Sequence, residues 1–228
     1  MGRVAQATAV RELRREAFVD TAQHLIQTKG YEQMTVQDVL DELAASRGAF
    51  YHYFDSKLAL LEAVVERTVT QAMDAIGPVV ADPHLSAVEK LSQLFSGIAS
   101  WKTQRKELML ALLQVWYSDD NALVRDKVRQ GTTTNIGPLL AAIVQQGKAE
   151  GVFSVRSPED TARVIVCLLQ GAQDLAGELF FARQAGSITF ESVEGRLDAH
   201  EEALERVLGV PPGTLQLVAE PILREWFG

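Results

Sequence analysis

The chain has one cysteine in 228 residues, Cys167, which excludes an internal disulfide framework and a zinc site built from several cysteines. Its four histidines include His24, His84 and His200, whose spacing suits no metal, so neither metal nor cofactor is expected. Basic residues are the minority sign, 22 against 30 acidic ones, for a formal charge of −8. The molecule is therefore no polycation, and any nucleic-acid site must be local. We find no signal peptide, no apolar run of transmembrane length, no low-complexity tract and no solenoid period. The expectation is a soluble, cytoplasmic protein with no membrane partner. A paired nucleophile and base and a phosphate-binding loop are also missing, which argues against an enzyme. No stretch alternates as a half-buried strand does.

What is there is helical periodicity. From about Val10 to Lys29, Leu13, Ala17, Val19, Ala22, Leu25 and Ile26 recur mostly three and four residues apart, and Gly30 supplies a stop. Thr35 and Asp38 fit a capping box opening a helix through Val36, Val39, Leu40 and Leu43. Ser46 can cap a third short helix, and Asp55 or Ser56 a fourth through Leu58, Leu61, Val64 and Val65. The stretch Ile76 to Pro83, with Gly77, Pro78 and Pro83, is the best boundary candidate. Beyond it, helices are predicted over Leu85–Lys102, Glu107–Tyr117, and Ala122–Ala149 with a kink at Pro138. "SPED", Ser157 to Asp160, opens a long helix reaching about Arg183: a capping serine, proline at the first helical position, carboxylates where the dipole favours them. Two more fit Ser192–Leu208 and Thr214–Trp226. The fold class is all-α, with about nine or ten helices.

The stretch Ser46 to Lys57, "SRGAFYHYFDSK", concentrates four aromatic rings, a histidine and two cations in twelve residues. The capped helix Thr35–Leu43, a tight connection at Ala44–Ser46 and a short helix Arg47–Tyr53 outline a helix-turn-helix. At 100° per residue, Arg47, Gly48, Tyr51 and His52 share an arc of about 140°. Phe50 and Phe54 lie outside it and are predicted to anchor the element inward. The exposed arc then carries a guanidinium, bare backbone, a phenol and an imidazole, groups that bind phosphates and base edges.

The run "TVQDVLDELAASRGAFYHYFDSKLALLEAV", Thr35 to Val64, resembles the DNA-binding signature of the TetR family of bacterial transcriptional regulators. It keeps that pattern's Ser46, Gly48, Phe50, Tyr51, Tyr53, Phe54, Lys57 and Leu60, with Val39 for isoleucine and Arg47 for lysine. It departs in the turn, where Ala44 stands in place of the usual glycine; alanine resists positive φ, which predicts a strained or shifted turn. The resemblance implies a three-helix DNA-binding head over residues 1–56 and a larger helical ligand-binding and dimerisation body over 57–228. It implies a homodimeric repressor on a palindromic operator, released when a small-molecule effector shifts the fourth helix. The runner-up expectation is a helical ligand-binding or scaffold protein without specific operator binding. Residues 1–60 carry seven basic and eight acidic side chains, so the head is near neutral while the remainder is −7. DNA affinity would then come from placed cations, with Arg14, Arg15, Arg47 and Lys57 near phosphates.

The expected DNA-binding residues are Thr35, Ser46, Arg47, Gly48, Ala49, Tyr51, His52, Tyr53 and Lys57. His52 and Tyr53 divide evenly between DNA contact and head packing. For the ligand, a hydrophobic or aromatic small molecule, the candidates are Val65, Val69, Met73, Phe95, Trp101, Trp116, Tyr117, Gln170 and Asp174. Aromatics at helical spacing are more often core than pocket lining, and Gln170 and Asp174 either line the pocket or face solvent beside the dimer seam. That seam is expected at Gly171, Ala172, Gly177 and His200. Cys167 is predicted to be a small buried hydrophobe.

Overall fold

The computed structural model describes residues 2–116 and 122–228, and among these residues it contains ten helices and no strand. They are α1 (Gly2–Lys29), α2 (Val36–Leu43), α3 (Arg47–Tyr51), α4 (Lys57–Ala81), α5 (Ala87–Thr103), α6 (Lys106–Trp116), α7 (Ala122–Ala149), α8 (Pro158–Gln184), α9 (Phe190–Leu208) and α10 (Glu220–Phe227). The chain divides into two compact units, Met1–Thr70 with Arg105–Val128, and Gln71–Gln104 with Arg129–Gly228.

In the first unit, Phe18, Val19, Ala22 and Ile26 of α1 pack with Val39 and Leu40 of α2, Phe50 of α3, Phe54, and Leu60, Leu61 and Val64 of α4. Phe18 meets Phe50 and Phe54 edge-on, with ring centres 5.8 and 6.2 Å apart. This geometry suits aromatic quadrupoles and contributes beyond simple burial. Arg67 of α4 ties this unit together by bonding Glu16, Asp20 and Gln23 along α1. Leu13, expected on the buried face of α1, is instead 72% exposed, and Val10 is exposed too. Helical apolar spacing continues past the end of the surface that α1 has to cover, and the first fully engaged position is Phe18.

The second unit is built around Ile76, Leu91, Leu94, Leu140, Ile143, Ile165, Leu204 and Leu208, from α4, α5, α7, α8 and α9. A smaller cluster joins Leu179 near the end of α8, Val193 at the start of α9 and Phe227 at the end of α10. Ser157 caps α8 by accepting from the Asp160 amide, with Pro158 in its first turn, as the sequence predicts. Helix α8 is long and apolar enough to cross a membrane by length and composition alone, although Asp174, Glu178 and Arg183 interrupt its apolar run. Here it packs on α9 and buries Ile165, Val166, Gly177 and Leu179.

Three expectations are corrected. The Ile76–Pro83 stretch is no boundary: α4 continues through Pro78 to Ala81. A proline forfeits one helical bond, and the carbonyl four residues back belongs to the exposed Asp74, while Ile76 and Val80 gain core contacts. The last helix begins at Glu220 rather than Thr214. Glu205 and Glu201 of α9 accept from the Leu215 and Leu217 amides at 2.9 and 2.8 Å, fixing that segment as a strap with Leu215 buried. Cys167 is exposed, not buried, because the buried face of α8 is carried by its neighbours Ile165 and Val166.

Candidate nucleic-acid interface

The geometry of α2, the turn and α3 follows from caps written in the local sequence. Thr35 Oγ1 accepts from the Asp38 amide at 3.1 Å, and Asp38 accepts from the Thr35 amide at 2.7 Å and hydroxyl at 2.8 Å. Lys29 donates to the same carboxylate at 2.7 Å. The hydrogen bond from Lys29 and those from Thr35 hold the Asp38 carboxyl down at about 2. Ser46 Oγ accepts from the Ala49 amide at 3.2 Å and caps α3; of the two candidates for α4, Ser56 is the cap, accepting from Ala59 at 3.0 Å.

Helix α2 ends on Ala44 in the left-handed region, φ 48° and ψ 40°, the one non-glycine residue at positive φ among the described residues. The Ala45 amide donates to Leu40 O at 2.9 Å and the Ala44 amide to Asp41 O at 3.3 Å, a Schellman closure that satisfies two carbonyls of α2. The turn keeps its glycine-type conformation and the alanine carries the strain.

Arg47, Gly48, Tyr51 and His52 are all exposed, and Phe50 between them is fully buried. Ala49 and Tyr53 are half-buried, and Tyr53 packs against Phe18 with ring centres 5.8 Å apart and edge-on against His52 at 4.9 Å. The space above Gly48 is open, its nearest neighbour being Ser46 Oγ at 3.9 Å from where a Cβ would sit. Lys57 opens α4, with its ammonium 4.1 Å above the Tyr31 ring and 3.3 Å from Glu32 O. Burial lowers the Lys57 pKa, against the pull of Glu32 and Asp38. Thr35 is exposed, with its hydroxyl engaged by its cap. The reading of the sequence missed Gln37, exposed on α2, whose Oε1 accepts from Arg47 Nη2 at 3.3 Å. The signal lay in its register: Gln37 sits one turn before Asp41 on the face that meets the start of α3.

The other expected positions divide between the two units. Val65 and Val69 are half-buried on α4, Val65 in the first unit's cluster, and Trp116 is half-buried on α6. Met73 packs on the second unit's core, where Phe95 is a core residue and Trp101 is also buried. Tyr117 lies outside the described residues. Gln170 donates to Arg129 O and Thr133 Oγ1, and Asp174 pairs with Arg129 at 2.5 Å, so both tie α8 to α7. Gly171 is exposed with open space at its Cβ position, Ala172 is half-buried, and Gly177 is buried within the chain. His200 is half-buried, its Nδ1 3.1 Å from Arg196 O. An open depression of about 400 Å³ lies between α9 and the Pro212–Gly213 turn, walled by Asp198, Glu201, Glu202 and Glu205. Its acidic lining suits no hydrophobic ligand, and it contains none of the residues expected for one.

Residues 18–64 match the family model "Bacterial regulatory proteins, tetR family". Over 144 residues, 56% of this chain, the sequence is 26% identical to the HTH-type transcriptional regulator EthR of Mycolicibacterium smegmatis (strain ATCC 700084 / mc(2)155). Over 61 residues, 27% of this chain, it is 33% identical to the HTH-type transcriptional regulator YvdT of Bacillus subtilis (strain 168). These matches span 66% and 31% of the relatives' own lengths, less than two thirds of either. A TetR transcription regulator from Haloarcula marismortui superposes with a TM-score of 0.62 at 20% identity, covering 87% of this chain and 97% of that one. A transcriptional regulator from Cytophaga hutchinsonii gives 0.56 at 16% identity, covering 93% and 98%. The fold is shared with these structures, and the family match, the capped helix-turn-helix and the exposed α3 face support a DNA-binding regulator. Residues 18–64 thus carry the DNA-binding domain of the TetR family, as the sequence signature implies.

Proposed function

We propose that the chain is a ligand-responsive repressor in the cytoplasm that binds a palindromic operator as a homodimer and is released by a small hydrophobic or aromatic effector. Residues 1–56 serve as the DNA-binding part and 57–228 as the ligand-binding and dimerisation part. The observation that carries this reading is the division of labour in α3: Phe50 is wholly buried while Arg47, Gly48, Tyr51 and His52 are exposed beside it. Arg47 takes a base edge, guanine by default. Tyr51, Lys57, Thr35 and Ser46 take phosphates, and the bare backbone at Gly48 and the small Ala49 allow close approach. His52 can reach the duplex, whereas Tyr53 is committed to packing on Phe18.

A single head offers few contacts, so specificity needs two, set about 34–36 Å apart on the duplex. The seam falls on α8 and α9. Gly171 offers a partner free space, while Gly177 is already used inside the chain. Helix α4 carries the coupling, since Val64 is buried in the first unit's core and Ile76 in the second's. An effector that only bound tightly would change nothing; it must bind the released form more tightly, by about 5.5 kcal/mol for a near-complete switch.

The test is titration of labelled DNA fragments from around the protein's own gene at several salt concentrations. Saturable, salt-sensitive binding to one palindrome by two chains supports the proposal. Uniform weak binding to every fragment overturns it.

A further inference from the structure

Gln37 and Asp41 stand one turn apart on the exposed face of α2, and Arg47 opens α3 across the turn. Gln37 Oε1 accepts from Arg47 Nη2 at 3.3 Å, and Gln37 Nε2 donates to Asp41 Oδ1 at 2.7 Å. The polarity of this relay is dictated at both ends. A guanidinium has only donors and an ionised carboxylate only acceptors, so the amide between them has one orientation that satisfies both. Asp41 thereby fixes which way Gln37 points, and Gln37 presents its oxygen to Arg47. The relay bridges α2 and α3 outside the core, on the surface where all three side chains are exposed.

We propose that Gln37, oriented by Asp41, is a positioning residue that holds the Arg47 guanidinium in place for base contact and so helps set which base the protein reads. The proposal rests on the assignment of α3 as the reading helix. An unrestrained arginine on an exposed helix start samples many rotamers and loses that freedom on binding DNA. The bond to Gln37 removes part of that loss beforehand. It engages one of five guanidinium N–H groups, leaving a pair for the two acceptors of guanine. The free protein thus carries a specificity element that no residue of α3 supplies alone.

The experiment is a double-mutant cycle with a base-preference profile. A randomised duplex library is enriched by the wild-type chain, and the enriched duplex is the probe. Gln37→Met keeps side-chain length and removes both polar atoms; it is compared with Arg47→Ala and with the double variant, each checked for native far-UV circular dichroism. Arg47→Ala is expected to lose about 5- to 150-fold in affinity, the equivalent of about 1–3 kcal/mol for a bidentate base contact. Gln37→Met should lose affinity severalfold and relax preference at the same base position as Arg47→Ala. The double variant should bind within about twofold of Arg47→Ala, because the two side chains act as one unit. Losses that multiply, an unchanged profile for Gln37→Met, or relaxation at a different position overturn the positioning role while leaving α3 as the reading helix. If Arg47→Ala binds as tightly as wild type, or the wild type enriches no sequence, the reading of α3 fails and this proposal falls with it.

Discussion

Replacing Ala44 by glycine should stabilise the head, and the size of the effect can be worked from the turn. Ala44 occupies φ 48°, ψ 40°, where an L-residue's Cβ crowds the following carbonyl at a cost of about 1–2 kcal/mol. Its methyl is exposed, so removing it sacrifices no core contact. Both closing bonds, from the amides of Ala44 and Ala45, are backbone bonds that glycine retains. Against the relief stands the greater freedom of glycine in the unfolded chain, about 0.4–1 kcal/mol. Taken at the middle of both ranges, the difference is a net gain of about 0.8 kcal/mol. Amide hydrogen exchange in α2 and α3 is the suitable assay, because it reports the first unit separately from the second. Where exchange proceeds through opening of the head, protection should rise about two- to fivefold in Ala44→Gly. Ala44→Val, with a β-branched side chain in the same conformation, should lower it. Unchanged or reduced protection in Ala44→Gly would refute the claim that this turn stores strain.

The Asp38 cap should show in acid. Its carboxyl sits at about 2 against an ordinary 3.8, and a lowered carboxylate adds stability above its ordinary value that is lost as pH falls through the lower one. The urea midpoint of wild type should therefore exceed that of Asp38→Ala at neutral pH, with the gap closing between those two values; a gap independent of pH would contradict the linkage. Two glycines should respond with opposite sign. A Cβ on Gly147 would overlap the buried Phe153 ring, so Gly147→Ala should cost about 1–3 kcal/mol, whereas Gly131→Ala, with open space on α7 away from the proposed seam, should gain up to about 1 kcal/mol of helix propensity. Thermal denaturation of the two variants checks the order, and equal shifts would refute it.

The capped elements were the legible part of the sequence. Thr35, Ser46 and Ser157 each satisfy a helix start within three residues, so α2, α3 and α8 begin where their own residues dictate. The inward Phe50 and outward Arg47, Tyr51 and His52 followed from helical phase alone. What escaped was decided by residues distant in the chain. The Arg67 clamp on Glu16 and Asp20 joins positions about fifty apart, and Glu205 and Glu201 hold a strap that propensity alone reads as helix. Gln37 escaped for a related reason: its role appears only when α2 and α3 are folded against each other. Periodicity placed the buried face of α1 and α8 on average, yet did not foresee that Leu13 and Cys167 would have nothing to cover them within the chain.

The central claim, that the exposed face of α3 reads DNA, is tested most directly by the affinity of Arg47→Ala for the operator duplex, measured beside wild type at one salt concentration. The account predicts a loss of about 1–3 kcal/mol with the fold intact. An affinity equal to that of wild type would contradict it.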